Sequence, residues 1–450
     1  MEVFTMTTQY FTNENGFWQS REVFPADLIP GAYTATPTAA PTAEGFYGFG
    51  VAITGSSCYL LSQMDPAERT ALLQYLYGKD GIHLNVGRLS VGSSDYSAEL
   101  YSYDDVPFDT ELKHFSVARD EKYVIPMIRE ILKINPDIFL FSSPWSPPGW
   151  MKTGGSLCGG HMGDEFVPCY VEYYIKFLKA YEAHGIHIQA LTPQNEPETH
   201  QDGKMPACIW NPETEAKFIT LLRKRLNEEN MDTKIWIWDY RFTGIDRVLW
   251  SLDNIPELKE SCAGAAFHYY KGNIEQTLKL REKYPDIVLH FTEGGPRLYD
   301  HYDNDWCKWG LMISKAMRCG YRSFTGWNLM LDENGSPNIG PYFCGGLVTK
   351  NSQTGELSYS GQMKAMAHIS PYLNADSKIF PLIIDEITHN SMFTYPKVNE
   401  LADGFLIDNN DQTICIMVNG DKEKKQYRIF VKDRWYYIEL LPNSISTIIF

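Results

Sequence analysis

Between residues 46 and 330 the chain alternates short strand-like runs with longer helical patterns, eight of each, and this alternation constrains the fold more than any other feature. The strand candidates are Phe46 to Ile53, His83 to Val91, Asp137 to Trp145, His187 to Glu196, Lys234 to Tyr240, Gly264 to Tyr270, Ile287 to Glu293 and Tyr321 to Leu329. Many are continuously apolar rather than alternating, as expected of parallel strands covered on both faces. Helix starts punctuate the intervals. Asp65-Pro66-Ala67-Glu68 offers an N-cap, a proline at the first helical position and a capping-box acid, so a helix is expected from there to about Gly78. Asn211-Pro212 does the same for a helix ending near Asn230. Tyr170, Tyr174, Phe177, Leu178 and Tyr181 form one apolar stripe at helical spacing, which should face the strands. The expected fold is α/β, a (β/α)8 TIM barrel, whose chemistry sits at the C-terminal ends of its strands.

From about Asn374 the helices stop. The runs Gly404 to Ile407, Thr413 to Val418, Tyr427 to Val431, Trp435 to Leu440 and Ser446 to Phe450 are separated by turn signals such as Asn409-Asn-Asp411 and Asn419-Gly420. They predict an antiparallel β-sandwich side domain over 374–450, with the barrel over 45–373. Residues 1–44 are expected to add a strand or two to that sandwich, and Thr34 to Ala43 reads as a Thr/Ala/Pro stretch too small and flexible to form a core.

The formal net charge of −16 disfavours a nucleic-acid phosphate track or an anionic membrane surface, and leaves carbohydrates and other neutral molecules as partners. The same charge also serves solubility. No run of 18 or more apolar residues is present, and the first residues lack the basic and apolar regions of a signal peptide, so a cytoplasmic location without membrane insertion is expected. Nine scattered cysteines without a Cys-x-x-Cys fit reduced thiols, although Cys158 and Cys169 would be placed to pair in an exported protein. His184 and His187 straddle Gly185, where a helix should end, and no metal or other cofactor is expected. The sequence does not reveal the oligomeric state.

Glu196, in Leu191-Thr-Pro-Gln-Asn-Glu-Pro197, and Glu293, in Leu289-His-Phe-Thr-Glu-Gly-Gly-Pro296, each stand where a strand candidate breaks into a Gly/Pro turn. A single glutamate of this kind is a turn acid. Two of them, closing the fourth and seventh strand candidates, fit glycosidic-bond cleavage, which needs one carboxylic acid to protonate the leaving oxygen and one carboxylate to attack or to activate water. Asn195, beside Glu196, offers an amide for a sugar hydroxyl next to the reacting carbon.

Asn-Glu-Pro at the end of a fourth barrel strand, with a second glutamate ending the seventh, resembles the retaining glycosidases of clan A. Further motifs narrow the resemblance to glycoside hydrolase family 30, the glucosylceramidase-like family. They are Gly48-Phe-Gly50 with Thr54, Asn85-Val-Gly-Arg88, Ser94-Asp-Tyr-Ser97, Ser143-Pro-Trp-Ser-Pro147 with Trp150-Met-Lys-Thr153, Gln194-Asn-Glu-Pro197, His268-Tyr-Tyr270, Thr292-Glu-Gly294 and Trp327-Asn-Leu329. The resemblance spans nearly the whole chain. It implies that Glu196 is the acid/base and Glu293 the nucleophile of a double displacement with a bell-shaped pH profile. It further implies that Arg88 lies beneath both carboxylates, that Asp95 and Trp145 bind sugar hydroxyls, that Tyr270 bonds the nucleophile with His268 supporting the same strand end, and that Trp327 floors the sugar pocket.

Gly326 stands where relatives often carry an acid before that tryptophan, which changes the edge of the first pocket. The Gly154 to Asp164 loop also departs from the family pattern and is expected to shape the aglycone side. The expected activity is that of an exo-acting β-glucosidase or glucosylceramidase-like enzyme. An endo-acting β-1,6-glucanase or a β-xylosidase is the alternative within the family, and a non-catalytic glycan-binding barrel the alternative outside it. A barrel metalloenzyme would need clustered ligands, and His268 is the one strand-end histidine of note.

Overall fold

The computed structural model describes residues 7–25, 32–385, 402–410 and 412–450. These fall into two compact units, one made of Phe49–Tyr299 with Ser323–Ser358 and the other of the remaining described residues. In the first unit, eight parallel strands among the described residues close a barrel in chain order: Gly48–Ala52, Val86–Ser90, Phe139–Ser143, Ala190–Leu191, Lys234–Arg241, Gly264–His268, Val288–Glu293 and Ser323–Gly326. They are called the first to eighth barrel strands below.

Local chemistry accounts for the helices between them. The Asp65 carboxylate accepts from the N–H groups of Ala67 and Glu68, Pro66 opens the first turn, and the helix Pro66–Tyr77 stops before Gly78. Asn211 caps the helix Pro212–Glu228 through the Thr214 N–H at 2.7 Å. Helix Val167–Ala183 buries Tyr170, Tyr174, Phe177, Leu178 and Tyr181 on one face, each side chain contributing about 1.5–3 kcal/mol. Among the described residues no helix is long and apolar enough to cross a membrane.

The fourth strand is shorter than its apolar run suggested. Only Ala190–Leu191 forms regular strand; the Thr192 N–H still donates to the Ser142 carbonyl at 3.0 Å, but Pro193 has no N–H to donate and ends the ladder. Glu196 therefore sits in a turn beyond the strand, with a left-handed φ of 52°.

The second unit holds a sheet of nine strands among the described residues. Their order is Arg434–Leu440, Lys425–Val431, Tyr33–Pro37, Lys378–Asp385, Ala402–Asp408, Thr413–Asn419, Ser444–Ile449, Thr7–Asn13 and Gly16–Val23. Neighbours are antiparallel except Lys425–Val431 with Tyr33–Pro37. The sheet curls into a sandwich around Leu406, Met417, Tyr427, Ile438, Leu440 and Ile448. The Thr34 to Ala43 stretch differs from its expectation. Tyr33–Pro37 is an interior strand, and Ala35 is fully buried in the sandwich core. Small side chains there suit a strand packed on both sides, and β-branched threonine favours extended backbone. The helix Trp306–Cys319 and residues 359–373 group with this unit.

Candidate active site

Two irregularities in the barrel strands set the geometry. Along the fifth strand, Trp238 pairs with Ala266 and Tyr240 with Phe267, so Asp239 is one residue too many. Along the seventh, Phe291 pairs with Phe267 and Glu293 with His268, which leaves Thr292 over. These are β-bulges, and each re-aims a side chain at the strand end. Trp238 and Asp239 take left-handed φ values of 86° and 66°. The Trp238 N–H donates to Glu215 Oε1 at 3.0 Å, and the Asp239 carbonyl accepts from the Glu196 N–H at 3.0 Å. The fifth-strand bulge thus anchors the backbone of the glutamate on the neighbouring turn.

Asp239 is completely buried and collects five bonds. Its Oδ2 accepts from Arg88 at 2.9 Å, Ser143 at 2.7 Å and Thr192 at 2.8 Å, and its Oδ1 accepts from Thr292 at 2.7 Å and meets His268 Nε2 at 3.1 Å. Arg88 in turn donates to Asn195 Oδ1 at 2.8 Å and to Glu293 Oε2. Glu293 Oε1 accepts from the Tyr270 hydroxyl at 2.8 Å. His268 Nδ1 lies 3.2 Å from Glu196 Oε1 and 3.8 Å from Glu293 Oε2. One ligand atom each from Glu196, His268 and Glu293 falls within 4.8 Å of the others. Donors so spaced could hold a cation, but the Arg88 guanidinium already places a positive charge on Glu293.

The electrostatics follow from this wiring. Burial alone would raise Asp239, yet the charge of Arg88 and the bond to His268 hold its carboxyl far below the usual range. Burial would lower His268, but the charge of Glu293 and the bonds to Asp239 and Glu196 lift it to about 9, so the imidazole is protonated near neutrality. Glu196 is raised, first by burial and then by the charge of Glu293, with the His268 bond opposing. Asp95 is pushed well up by burial and by Glu293.

Every residue expected from the sequence is brought to this strand end. Asp95, Trp145, Asn195, Glu196, Tyr270, Glu293 and Trp327 line one cavity of about 260 Å³, while Arg88 and His268 lie beneath it. Trp145 and Trp327 stack at 5.0 Å between centroids, with Tyr96 edge-on to Trp327 at 5.7 Å. The Arg88 guanidinium lies 4.8 Å from the Trp145 ring centroid. Asp95 Oδ1 is buried without a hydrogen-bond partner among the described residues, as a group meant for a ligand hydroxyl would be. The Gly294-Gly295 pair after the nucleophile position is explained by packing: a Cβ on Gly295 would come within 2.9 Å of the Trp327 Cβ.

The loop Gly154 to Asp164 contributes no residue to this cavity. Instead Lys152, only 7% exposed, donates to the carbonyls of Leu157, Gly159 and Ala207, and so ties the loop to the segment that carries pocket residue Met205. Burial lowers this lysine to about 8. Cys158 and Cys169 are not joined by a disulfide.

Asp239, Gln201 and Tyr342 were not singled out from the sequence. An aspartate inside the run Ile235-Trp-Ile-Trp-Asp-Tyr240 was the available signal for the first. Gln201 and Tyr342, which line the cavity from loops 141 positions apart, gave none.

Residues 46–373 match the family model described as the glycosyl hydrolase family 30 TIM-barrel domain. The chain is 28% identical to the lysosomal acid glucosylceramidase of Mus musculus, over 76% of this chain and 70% of that protein. It is 27% identical to the endo-1,6-β-D-glucanase of Neurospora crassa, over 72% of this chain and 70% of that protein. The solved structure of an endo-β1,6-glucanase superposes with a TM-score of 0.85 at 25% identity, covering 98% of this chain and 99% of that one.

Proposed function

This chain belongs to glycosyl hydrolase family 30, and from that premise we propose that it is a retaining β-glycosidase in which Glu196 is the acid/base and Glu293 the nucleophile. The observation that carries the proposal is the separation of the two carboxyls. Their nearest oxygens lie within 4.8 Å, close to the roughly 5–5.5 Å of retaining pairs and short of the roughly 6.5–9.5 Å that leaves room for a water in inverting ones.

Charge balance supports the same assignment. Arg88 and protonated His268 contribute two positive charges, and Asp239 and ionised Glu293 two negative ones, so the buried cluster is neutral when Glu196 carries a proton. Attack by Glu293 on the anomeric carbon, with proton transfer from Glu196 to the departing oxygen, converts Glu293 to a neutral ester. Glu196, now ionised, keeps the cluster neutral and is ready to take a proton from water. The hydrogen bonds are placed for this cycle: Arg88 and Tyr270 hold one Glu293 oxygen each, which orients the attacking carboxylate.

For the first pocket we favour a β-linked glucosyl group: the names of the glucosylceramidase and the endo-1,6-β-D-glucanase relatives both point to glucose, and the second specifies the β linkage. Asp95 and Asn195 serve its hydroxyls, and the stacked indoles of Trp145 and Trp327 wall the pocket. A cavity of about 260 Å³ favours exo action on a terminal sugar. An endo reading draws support from exposed Tyr299 and Phe343, whose loop segments meet through an isolated bridge between Arg297 and Cys344 beside the cavity.

The test is hydrolysis of aryl β-glucoside, xyloside, galactoside, fucoside and glucuronide by the wild type and by Glu293→Gln, with the anomer of the first product followed by NMR. The glucoside should be turned over with β configuration kept, and the substitution should lower the rate at least about 10⁴-fold. Initial release of the α anomer would refute retention. With β-1,6-gluco-oligosaccharides, release of glucose alone indicates exo action and release of longer products endo action.

A further inference from the structure

Gln201 touches the proposed acid yet has no part in the chemistry above. Its Nε2 donates to Glu196 Oε2 at 2.6 Å, and its Oε1 accepts from the Tyr342 hydroxyl at 2.6 Å. Both residues line the cavity. Tyr342 comes from the segment after the eighth strand, where one hydroxyl fixes the backbone on both sides of Phe343. The Tyr96 hydroxyl donates to the Tyr342 carbonyl at 3.0 Å and accepts from the Cys344 N–H at 3.0 Å. The Tyr342 ring remains 42% exposed and reaches over the pocket. On the other side, Gln201 and Asp202 hold left-handed φ values of 49° and 51°, a conformation that side-chain-bearing residues keep only when surrounding contacts enforce it.

The two oxygens of Glu196 are not equivalent. Oε1 faces His268 Nδ1 in the buried cluster, whereas Oε2 faces Gln201 at the cavity. A glycosidic oxygen approaching from the pocket therefore meets Oε2, the atom that Gln201 already holds.

We propose that Gln201 and Tyr342 form a latch across the mouth of the pocket, which covers the proton-delivering oxygen of Glu196 in the free enzyme and is displaced by the leaving-group oxygen of the substrate. The inference rests on the reading of Glu196 as the acid/base. Gln201 is a positioning residue in this scheme. An amide N–H donated to a carboxyl oxygen favours the ionised form, so the latch lowers the proton affinity of Glu196 in the empty site. Displacing it returns that affinity when a leaving group arrives to use it. The tyrosine sets the amide's orientation, because its hydroxyl donates to Oε1 and leaves Nε2 turned toward Glu196.

The experiment is the pH dependence of kcat/KM for the wild type, Gln201→Leu and Tyr342→Phe, each with a phenyl glycoside and a 2,4-dinitrophenyl glycoside of the sugar that the panel identifies. The dinitrophenolate leaves without protonation and serves as the internal control. With the phenyl glycoside, the basic limb should move up by about one pH unit in Gln201→Leu, the effect of losing one hydrogen bond to a carboxylate. It should move in the same direction and by less in Tyr342→Phe, a change of one oxygen atom that keeps the ring. An unmoved basic limb in both variants overturns the latch. Glu196→Ala separates the two readings. If it hydrolyses the phenyl glycoside as well as the wild type does, the acid/base assignment fails and the latch with it. If it selectively loses the phenyl glycoside while both latch variants keep the wild-type limb, the latch alone fails.

Discussion

Asp239 and Asp120 both lie inside the barrel unit, with 0% and 1% of their surfaces exposed, yet their surroundings move them in opposite directions. Asp120 accepts three phenol hydroxyls, from Tyr101 and Tyr103 at 2.5 Å and from Tyr181 at 2.6 Å. Those dipoles lower its pKa, but burial outweighs them and the carboxyl ends above its ordinary value. Asp239 has hydroxyl donors as well, and in addition the charges of Arg88 and His268, which overcome the same burial. Hydrogen bonds alone make a buried acid tolerable; adjacent cations make it a fixed charge. Asp120 joins a loop to the helix Val167–Ala183, while Asp239 sets the charge count of the cluster beneath Glu196 and Glu293.

The comparison would be sharpened first by Asp239→Asn. It leaves Arg88 and His268 with one negative partner fewer, so kcat/KM should fall on the order of 10³-fold and stability by about 3–5 kcal/mol. Steady-state kinetics and thermal unfolding would measure both, and a variant as active and stable as the wild type would erase the distinction. A smaller effect is expected from pH. His268 has a folded pKa of about 9 against an ordinary 6.5, so the stability it contributes is fully present below the lower value and lost as pH rises through the higher. The melting-temperature gap between wild type and His268→Gln should therefore narrow from about pH 6 to about pH 10. A constant gap would mean that the imidazole is not charged in the folded state.

Asp120→Asn should be the mildest change, costing about 1 kcal/mol at neutral pH, because an amide still meets the phenols without a charge to bury. The raised carboxyl holds its proton more tightly folded than unfolded. The wild type should thus gain on this variant as pH falls through the raised value toward 3.8. A gain in the opposite direction would place Asp120 with Asp239 as a stabilised charge.

Much of this molecule could be read from its residues because local and long-range requirements coincide there. Asp65-Pro66 and Asn211-Pro212 signal helix starts that tertiary packing keeps. Glu196 and Glu293 announce themselves because each ends an apolar run at a Gly/Pro turn, and a barrel brings such ends together. Asp239 escaped because period-two reasoning fails at a bulge: one extra residue changes the phase of the strand, and neither Trp238 nor Asp239 is a glycine that would advertise positive φ. The Tyr33–Pro37 strand escaped because its composition resembles a linker, and only its neighbours in the sheet make it a core element. Gln201 and Tyr342 meet through loop conformation, for which the chain carries no periodic signal.

The two bulges flank the same sixth strand, one opposite Ala266–Phe267 and the other opposite Phe267–His268. Removing Asp239 would let the fifth strand pair with the sixth without interruption, a repair that the sheet would welcome. The repaired barrel would have lost the counter-charge to Arg88 and His268 and the carbonyl that holds the Glu196 backbone. The length of this strand is therefore set by chemistry against the preference of the sheet. Shortening the strand alone should leave an inert barrel weakened by the unpaired charges of Arg88 and His268, and a sturdier scaffold would need those two replaced as well.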